Sequence, residues 1–598
     1  MAFSSSKQRH ISRRAVFFGG LQLAALSTLA GRLYYLQFVK SETLTTQAEN
    51  NRIKLQLMPP ARGMIVDRVG TPLAVNERNY QLFLDVTALK KQEIDHILNE
   101  VEQMVGLGKD TKEDVLKEIK KRRFPPPILL KEHMEWETVA KLELNALSLA
   151  GTYIYTGQQR HYPLKDATAH LVGYIGRVAP EELDKKDEPL MRLPDFKIGK
   201  NGVERMYNDA LIGQAGIRQL EVDAEGLVVR ELKSQQSVAG ATTTLTIHAG
   251  LQQYIANLTR NESASVVVMD VRNGDILAMV SMPGFDPDIF SRAIPADYWK
   301  QLQENERNPL MNKAVQGQYP PGSTFKMLVG LAALEAEIAK ENTRVHCPGH
   351  YYLGNHRFNC WKEGGHGSVD LKQAIAVSCD TYFYTMAQRL GIQPIADMAR
   401  RFGFGDNHAL GFPGEQSGIV PDEAWKMKAY KQKWQTGDTV NVGIGQGYVL
   451  ATPLQMCVMT ARLVGGGYAI TPRLTAEVSV PEFAALNVSE DHLSLVKAGM
   501  DAAVNSPIGT AYGKRITQQG LEMGGKTGTS QVKRITQRGL DQSKLPWKDR
   551  HHAFFVGYAP VEHPRFVCCV AVEHGGGGSA AAAPIARDVL LYVQGLGI

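Results

Sequence analysis

Residues 318–339 read QYPPGSTFKMLVGLAALEAEIA, and the rest of the chain is best read outward from them. Pro320, Pro321 and Gly322 stop any preceding helix, and an apolar run of helical length follows. The pattern predicts a buried helix opened by Ser323. Ser323 and Lys326 lie three apart, so they share one helix face. Ser323 also stands at the positive end of the helix dipole, where developing negative charge is favoured. A buried lysine gives up its proton more readily than an exposed one, which suits Lys326 to act as base toward the Ser323 hydroxyl. S-x-x-K alone specifies little: it also begins at Ser4, Ser494 and Ser530. Only the copy at Ser323 follows a helix stop and enters an apolar helix.

Two further stretches bear on the same chemistry. GGKTGTSQV (524–532) reads as a strand, with Gly528 letting a substrate backbone approach. Lys526, Thr527 and Thr529 would offer a positive charge and two hydroxyls to a carboxylate. KQAIAVSCDTYFYTMAQ (372–388) reads as the front of a buried helix, yet it sets Ser378, Cys379 and Asp380 side by side. The thiol alone is compatible with packing, a nucleophile, half of a disulfide or a metal ligand.

The flanks fix the architecture. At 598 residues the chain exceeds one core, so two to four domains are expected. SASVVVMDVRNGDILAMVSMP (263–283) reads as a hairpin turning at RNGD, and HHAFFVGYAP and RFVCCVAVEH as strands near the end. Strands at both ends with helices between predict an antiparallel sheet covered by helices over 241–598. Residues 37–240 read as an extended mixed module of strands and charged helices. AVFFGGLQLAALSTLAG (15–31), preceded by Lys7, Arg9, Arg13 and Arg14, reads as a transmembrane anchor over 15–36 with a cytoplasmic tail at 1–14. A cleaved export signal competes with that reading. The multidomain α+β chain then places its bulk across the membrane. The net charge of +6 is small for this length, and KKRR (120–123) lacks interleaved aromatics, which argues against a nucleic-acid partner.

Ser-x-x-Lys, then Ser-x-Asp, then Lys-Thr-Gly, in this order, resembles the signature of penicillin-binding proteins and serine β-lactamases. RGMIVDRVGTPLA (62–74), RHYPLKDATAHLVGYIG (160–176) and GKNGVERMYNDALIGQAG (199–216) resemble the non-catalytic pedestal or dimerisation module of class B penicillin-binding proteins. Asp380 and the LPWKDRHHAFFVGYAP segment are similar to the elongation-specific branch, whereas the division-specific branch usually has Asn in place of Asp380. The resemblance implies a peptidoglycan D,D-transpeptidase of the serine D-Ala-D-Ala carboxypeptidase class. Ser323 would be the nucleophile, Lys326 the base and Ser378 a proton relay. Lys526, Thr527, Gly528 and Thr529 would hold the terminal carboxylate, and the backbone N–H groups of Ser323 and Thr529 would form an oxyanion hole. β-Lactams would block Ser323. Asp380 would either bond Lys326 or position the donor peptide. A division-specific transpeptidase, a β-lactamase and a non-catalytic β-lactam sensor are the alternatives.

Cys347, Cys360, His366 and Cys379 form C-x12-C-x5-H-x12-C. Three thiolates and one imidazole suit a closed tetrahedral zinc site; a disulfide and plain packing compete. Elongation-type relatives with zinc beside the active site favour the metal, with His350 and His356 in reserve. Cys457, Cys568 and Cys569 read as core. By the same resemblance the expected partners are peptidoglycan stem peptides, a SEDS-type glycan polymerase and an elongation-complex scaffold. The expected place is a bacterial inner membrane, crossed once, with the catalytic domain in the periplasm.

Overall fold

A computed structural model describes residues 13–41, 52–86, 89, 91–107, 109–121, 127–184, 186, 188–193, 196–222, 228–292, 294–476, 479–532 and 541–598. The expected cytoplasmic tail, apart from Arg13 and Arg14, lies outside these residues. So do Arg122 and Arg123 of the basic cluster, and Ser4, Lys7 and Lys533. The chain divides into two units, residues 1–61 with 213–239 and residues 62–212 with 240–598.

The first unit carries the apolar helix Arg13–Tyr34, which continues into wider π-type turns over Tyr35–Val39. Val16–Val39 is long and apolar enough to cross a membrane, and its side chains are exposed. Arg32 and Lys40 lie over the Tyr35 ring at the end of this span, as suits an interfacial flank. A three-stranded antiparallel sheet completes the unit: Ile53–Met58, Gly216–Val222 and Val228–Gln235.

In the second unit, residues 62–212 join three of the quoted segments through one buried carboxylate. Glu204 has no exposed surface. Its Oε2 accepts from Arg62 Nε at 2.6 Å and its Oε1 from Arg160 Nε at 2.7 Å. Arg62 also reaches the Glu204 carbonyl and Asn208 Oδ1, and Arg160 reaches Asn76 Oδ1. Arg62, Arg160 and Glu204 belong to three different segments, so this contact ties the three together. Asp67 makes the link onward. Its Oδ1 accepts from the N–H groups of Val69 and Thr71, closing a turn, and its Oδ2 accepts from Ala249 N at the start of the next helix.

That helix is α1 (Ala249–Leu258), and it opens the catalytic module. Strands β1 (Ala264–Asp270) and β2 (Ile276–Met282) follow as the expected hairpin. Then come α2 (Lys326–Glu335), α3 (Leu371–Ala376), α4 (Asp380–Leu390), α5 (Pro453–Val464) and α6 (Glu490–Asn505). β3 (Gly524–Ser530), β4 (His552–Ala559), β5 (Phe566–Val572) and α7 (Ala583–Gln594) close the module. The sheet order is β2-β1-β5-β4-β3, antiparallel throughout.

Both faces of this sheet are buried, so its strands are nearly continuous apolar runs rather than alternating ones. Val266, Val268, Phe555, Cys568 and Val570 pack on one side with α1 and α7. Val267, Met269, Phe554, Val556 and Cys569 pack on the other with α2 and α5. Adjacent strand residues point to opposite faces, so Cys568 and Cys569 enter separate cores.

The buried pairing of Glu204 yields a stability prediction. Glu204→Ala strands two guanidinium groups, and Glu204→Gln keeps part of the hydrogen bonding. The alanine variant is expected to lose about 3–5 kcal/mol in urea unfolding, and the glutamine variant distinctly less.

Candidate active site

The helix expected to open at Ser323 starts three residues later. Gly322–Phe325 forms a tight 3-10 turn, stopped on one side by the prolines and continued by α2 from Lys326. Thr324 Oγ1 donates to Pro321 O at 2.7 Å, an inward turn bond that fixes this corner. Ser323 is half-buried at the turn, and Lys326 has no exposed surface. Gly322 takes φ +56°, and a Cβ there would lie 2.6 Å from Thr529 O. Its N–H donates to Gly445 O at 2.8 Å. Only a glycine permits this approach of the turn to β3.

Gly528 has a related purpose within the protein. The space its side chain would take is filled from within: a Cβ there would lie 2.9 Å from Thr324 Cγ2 and 3.1 Å from Phe554 Cβ and Pro321 O. The glycine thus lets the serine turn settle on the strand. Thr529 O also accepts from Gln446 Nε2 at 3.0 Å, and Thr527 Oγ1 shares a hydrogen bond with Thr510 Oγ1 at 2.9 Å. Lys526 is fully buried and donates to Thr527 O. Burial, and then the charge of Lys326, hold Lys526 well below the ordinary lysine pKa.

The stretch 372–388 is two helices, not one. α3 ends at Ala376, and Ser378 adopts φ +54°, a left-handed conformation uncommon for a residue other than glycine. Cys379 is the N-cap position of α4. The break turns Ser378 and Asp380 onto Lys326. Its Nζ donates to Ser378 O at 3.0 Å, to Ser378 Oγ at 3.3 Å and to Asp380 Oδ1 at 2.6 Å. The second Asp380 oxygen accepts from Trp361 N at 2.8 Å. Asp380 is therefore a direct partner of Lys326. Burial raises its carboxyl pKa, against the opposing pull of Lys326.

Cys379 turns the other way. Its Sγ lies with Cys347 Sγ, Cys360 Sγ and a His366 ring nitrogen, all within 4.8 Å of one another. All six cysteines are unpaired. His366 Nδ1 lies 3.6 Å from Cys347 Sγ and 3.5 Å from Cys360 Sγ. Metal–ligand lengths of about 2.3 Å to sulfur and 2.0–2.1 Å to nitrogen give a tetrahedral edge of about 3.5 Å. The donor set and its spacing therefore fit a closed zinc site. Cys347 ends the short strand Val345–Cys347, Cys360 follows the strand His356–Asn359, His366 precedes the strand Gly367–Val369 and Cys379 caps α4, with Gly349 and Gly365 at positive φ in the turns. The reserve ligands stand aside: His350 faces Tyr352 and Arg357, and His356 faces Phe358.

Trp361 and Gln446 were not read from the sequence as site residues. Gln446 lies in a Gly-rich loop whose only sequence signal was the glycines. Trp361 directly follows a candidate ligand, which is the signal that could have marked it.

Comparison with known proteins assigns both modules to described families. The family described as penicillin binding protein transpeptidase domain matches residues 264–591, and the penicillin-binding protein dimerisation domain matches 57–245. The chain is 36% identical to the peptidoglycan D,D-transpeptidase MrdA of Haemophilus influenzae, over 97% of this chain and 91% of that protein. It resembles penicillin-binding protein 2 of Helicobacter pylori, solved in complex with MreC, with a TM-score of 0.81 and 30% identity; the match covers 91% of this chain and 99% of that one. A chain from a structure of a peptidoglycan synthase complex, titled for its coordination of polymerization and crosslinking, matches at TM-score 0.72 and 26% identity. That match covers 98% and 99% of the two chains.

The seating of the serine turn on β3 can be tested by filling its gap. Gly528→Ala is expected to lower stability by about 1–3 kcal/mol through overpacking. Thr324→Ser removes the methyl group that the new Cβ meets. Thermal unfolding of the single and double variants should show that Thr324→Ser recovers part of the loss, a non-additive result that independent sites would not give.

Proposed function

The chain belongs to the class B penicillin-binding proteins, and from that premise we propose how its residues carry out elongation-type peptidoglycan D,D-transpeptidation. Ser323 Oγ attacks the carbonyl carbon of the D-Ala–D-Ala bond in a donor stem peptide, and its proton passes to Lys326, which takes part in this step as the neutral amine. Ser378 relays a proton to the departing D-Ala, whose C–N bond breaks as the Ser323 ester forms. Lys526, Thr527 and Thr529 receive the terminal carboxylate, and the N–H groups of Ser323 and Thr529 receive the developing oxyanion. An amine of a neighbouring stem then displaces Ser323, forming the cross-link and regenerating the hydroxyl. Attack by water in place of the amine would give the carboxypeptidase reaction. Asp380 takes no proton from substrate in this scheme; it fixes Lys326 Nζ in direction.

The observation that carries this reading is the convergence on one lysine. Lys326 follows the Ser323 turn and receives Ser378 and Asp380 from a separate segment, while Lys526 contributes to its charge environment from β3. A β-lactam presents a strained amide in place of the scissile bond and would leave Ser323 acylated.

The cysteine–histidine cluster is assigned to zinc on its donor set and spacing. Cys347, Cys360, His366 and Cys379 would hold the ion, whose contribution is structural. Cys379 lies between Ser378 and Asp380, so a cross-linked cluster would fix the turn that faces Lys326. The apolar helix serves as a single membrane anchor, with the catalytic module in the periplasm of a bacterium. The likeness to chains solved with MreC and within a peptidoglycan synthase complex supports two partners, a scaffold protein and a glycan polymerase.

Two experiments test these assignments. Wild-type protein should be labelled covalently by a fluorescent penicillin and release it slowly, and Ser323→Ala should show no label; label on that variant would sink the nucleophile assignment. Metal analysis of the same preparation should find about one zinc per chain, lost in Cys379→Ala, with slower labelling at Ser323. Absence of metal together with a mapped disulfide among Cys347, Cys360 and Cys379 would refute the zinc site.

A further inference from the structure

We propose that Trp361 is a positioning residue for acylation, holding the Ser378 turn in the geometry where its carbonyl, its hydroxyl and the Asp380 carboxylate converge on Lys326. The proposal rests on the reading above, in which Ser323 is acylated with Lys326 as base.

Trp361 reaches the turn on both sides of Cys379. Its indole Nε1 donates to Val377 O at 3.0 Å and to Ser378 O at 3.1 Å. Its backbone N–H donates to Asp380 Oδ2 at 2.8 Å. The Ser378 carbonyl therefore receives both the indole and Lys326 Nζ, and the Asp380 carboxylate receives Lys326 on one oxygen and Trp361 on the other. Ser378 needs such restraint. A left-handed serine costs on the order of 1 kcal/mol or more and persists only where its surroundings over-determine it. A relaxed turn would swing both acceptors away from the lysine.

Burial does not explain this tryptophan. Its side chain keeps 60% of its surface exposed, far more than a core aromatic. The hydrogen-bonding edge is the part the structure uses. Trp361 also adjoins the cluster, following Cys360 in sequence and packing on the His366 ring at 5.4 Å. One residue thus ties the loop of the cluster to the turn of the second motif.

The test is Trp361→Phe, which keeps the backbone N–H and an aromatic ring and removes only the indole donor. Acylation by penicillin is followed in full-length protein over a range of concentrations. The rate constant at saturation is separated from the half-saturating concentration. The expected result is a rate constant about tenfold lower, a factor within the range of hydrogen bonds to a buried acceptor. The half-saturating concentration should stay within about twofold, with the unfolding midpoint and metal content unchanged. A rate equal to wild type would overturn the proposal. So would a loss confined to half-saturation, or one that tracks a lower midpoint, because either assigns the ring to binding or to folding alone. Failure of the wild-type protein to be labelled would instead refute the Ser323 reading, before the variant is compared.

Discussion

An ammonium group with no exposed surface must find its acceptors inside the protein, and Lys326 finds three within three residues of chain, Ser378 to Asp380. Leaving a charge buried and unanswered costs several kcal/mol, so this requirement dominates local preference. It explains why a stretch with helical composition breaks. A continuous helix would spend the Ser378 carbonyl on its own ladder and direct Ser378 and Asp380 along the helix surface. A left-handed serine frees the carbonyl and turns three acceptors toward one point. The strain is small beside the cost of an unpaired lysine.

The same logic operates outside the catalytic module. Glu204 is also wholly buried, and it is answered by arginines from two distant segments. There the charge has no reaction to perform; it specifies which strands and helices meet. Asp67 extends the arrangement by closing its own turn and receiving the first N–H of α1. A carboxylate in this setting serves as a fastening between modules, because only one placement of the neighbouring backbone satisfies it.

Much of this was legible in the sequence, for physical reasons. Pro320, Pro321 and Gly322 mark a helix stop, and it is that stop and the apolar helix after it that single out Ser323 and Lys326 among the four S-x-x-K copies. Four of the five sheet strands announced themselves as apolar runs bounded by turns and the fifth by its Lys-Thr-Gly pattern, and 241–598 was expected as one sheet covered by helices. What stayed hidden depends on contacts between distant residues. Asp380 could be given two roles, since only the fold shows that Lys326 lies 2.6 Å away. Gly528 reads as a substrate approach, and the sequence does not reveal that the Thr324 methyl also packs against it. Trp361 has only its place after Cys360 to mark it; its importance comes from what its indole nitrogen reaches.

The segment 378–380 shows how three adjacent side chains acquire separate duties. In a regular helix, neighbours are turned about a common axis and cannot all face one lysine. In a turn the backbone direction changes at each residue, so Ser378 and Asp380 meet Lys326 while Cys379 joins Cys347, Cys360 and His366. This economy has a structural consequence. A displacement of Cys379 must rotate the residues on either side, so any restraint on the cluster is also a restraint on the acceptors of Lys326. Cys457, Cys568 and Cys569 lack such a position: each is buried in an apolar core, and burial raises their thiol pKa values. Chemical identity is shared by all six cysteines, and it is the conformation of the surrounding backbone that separates the three beside the active site from the three that only fill space.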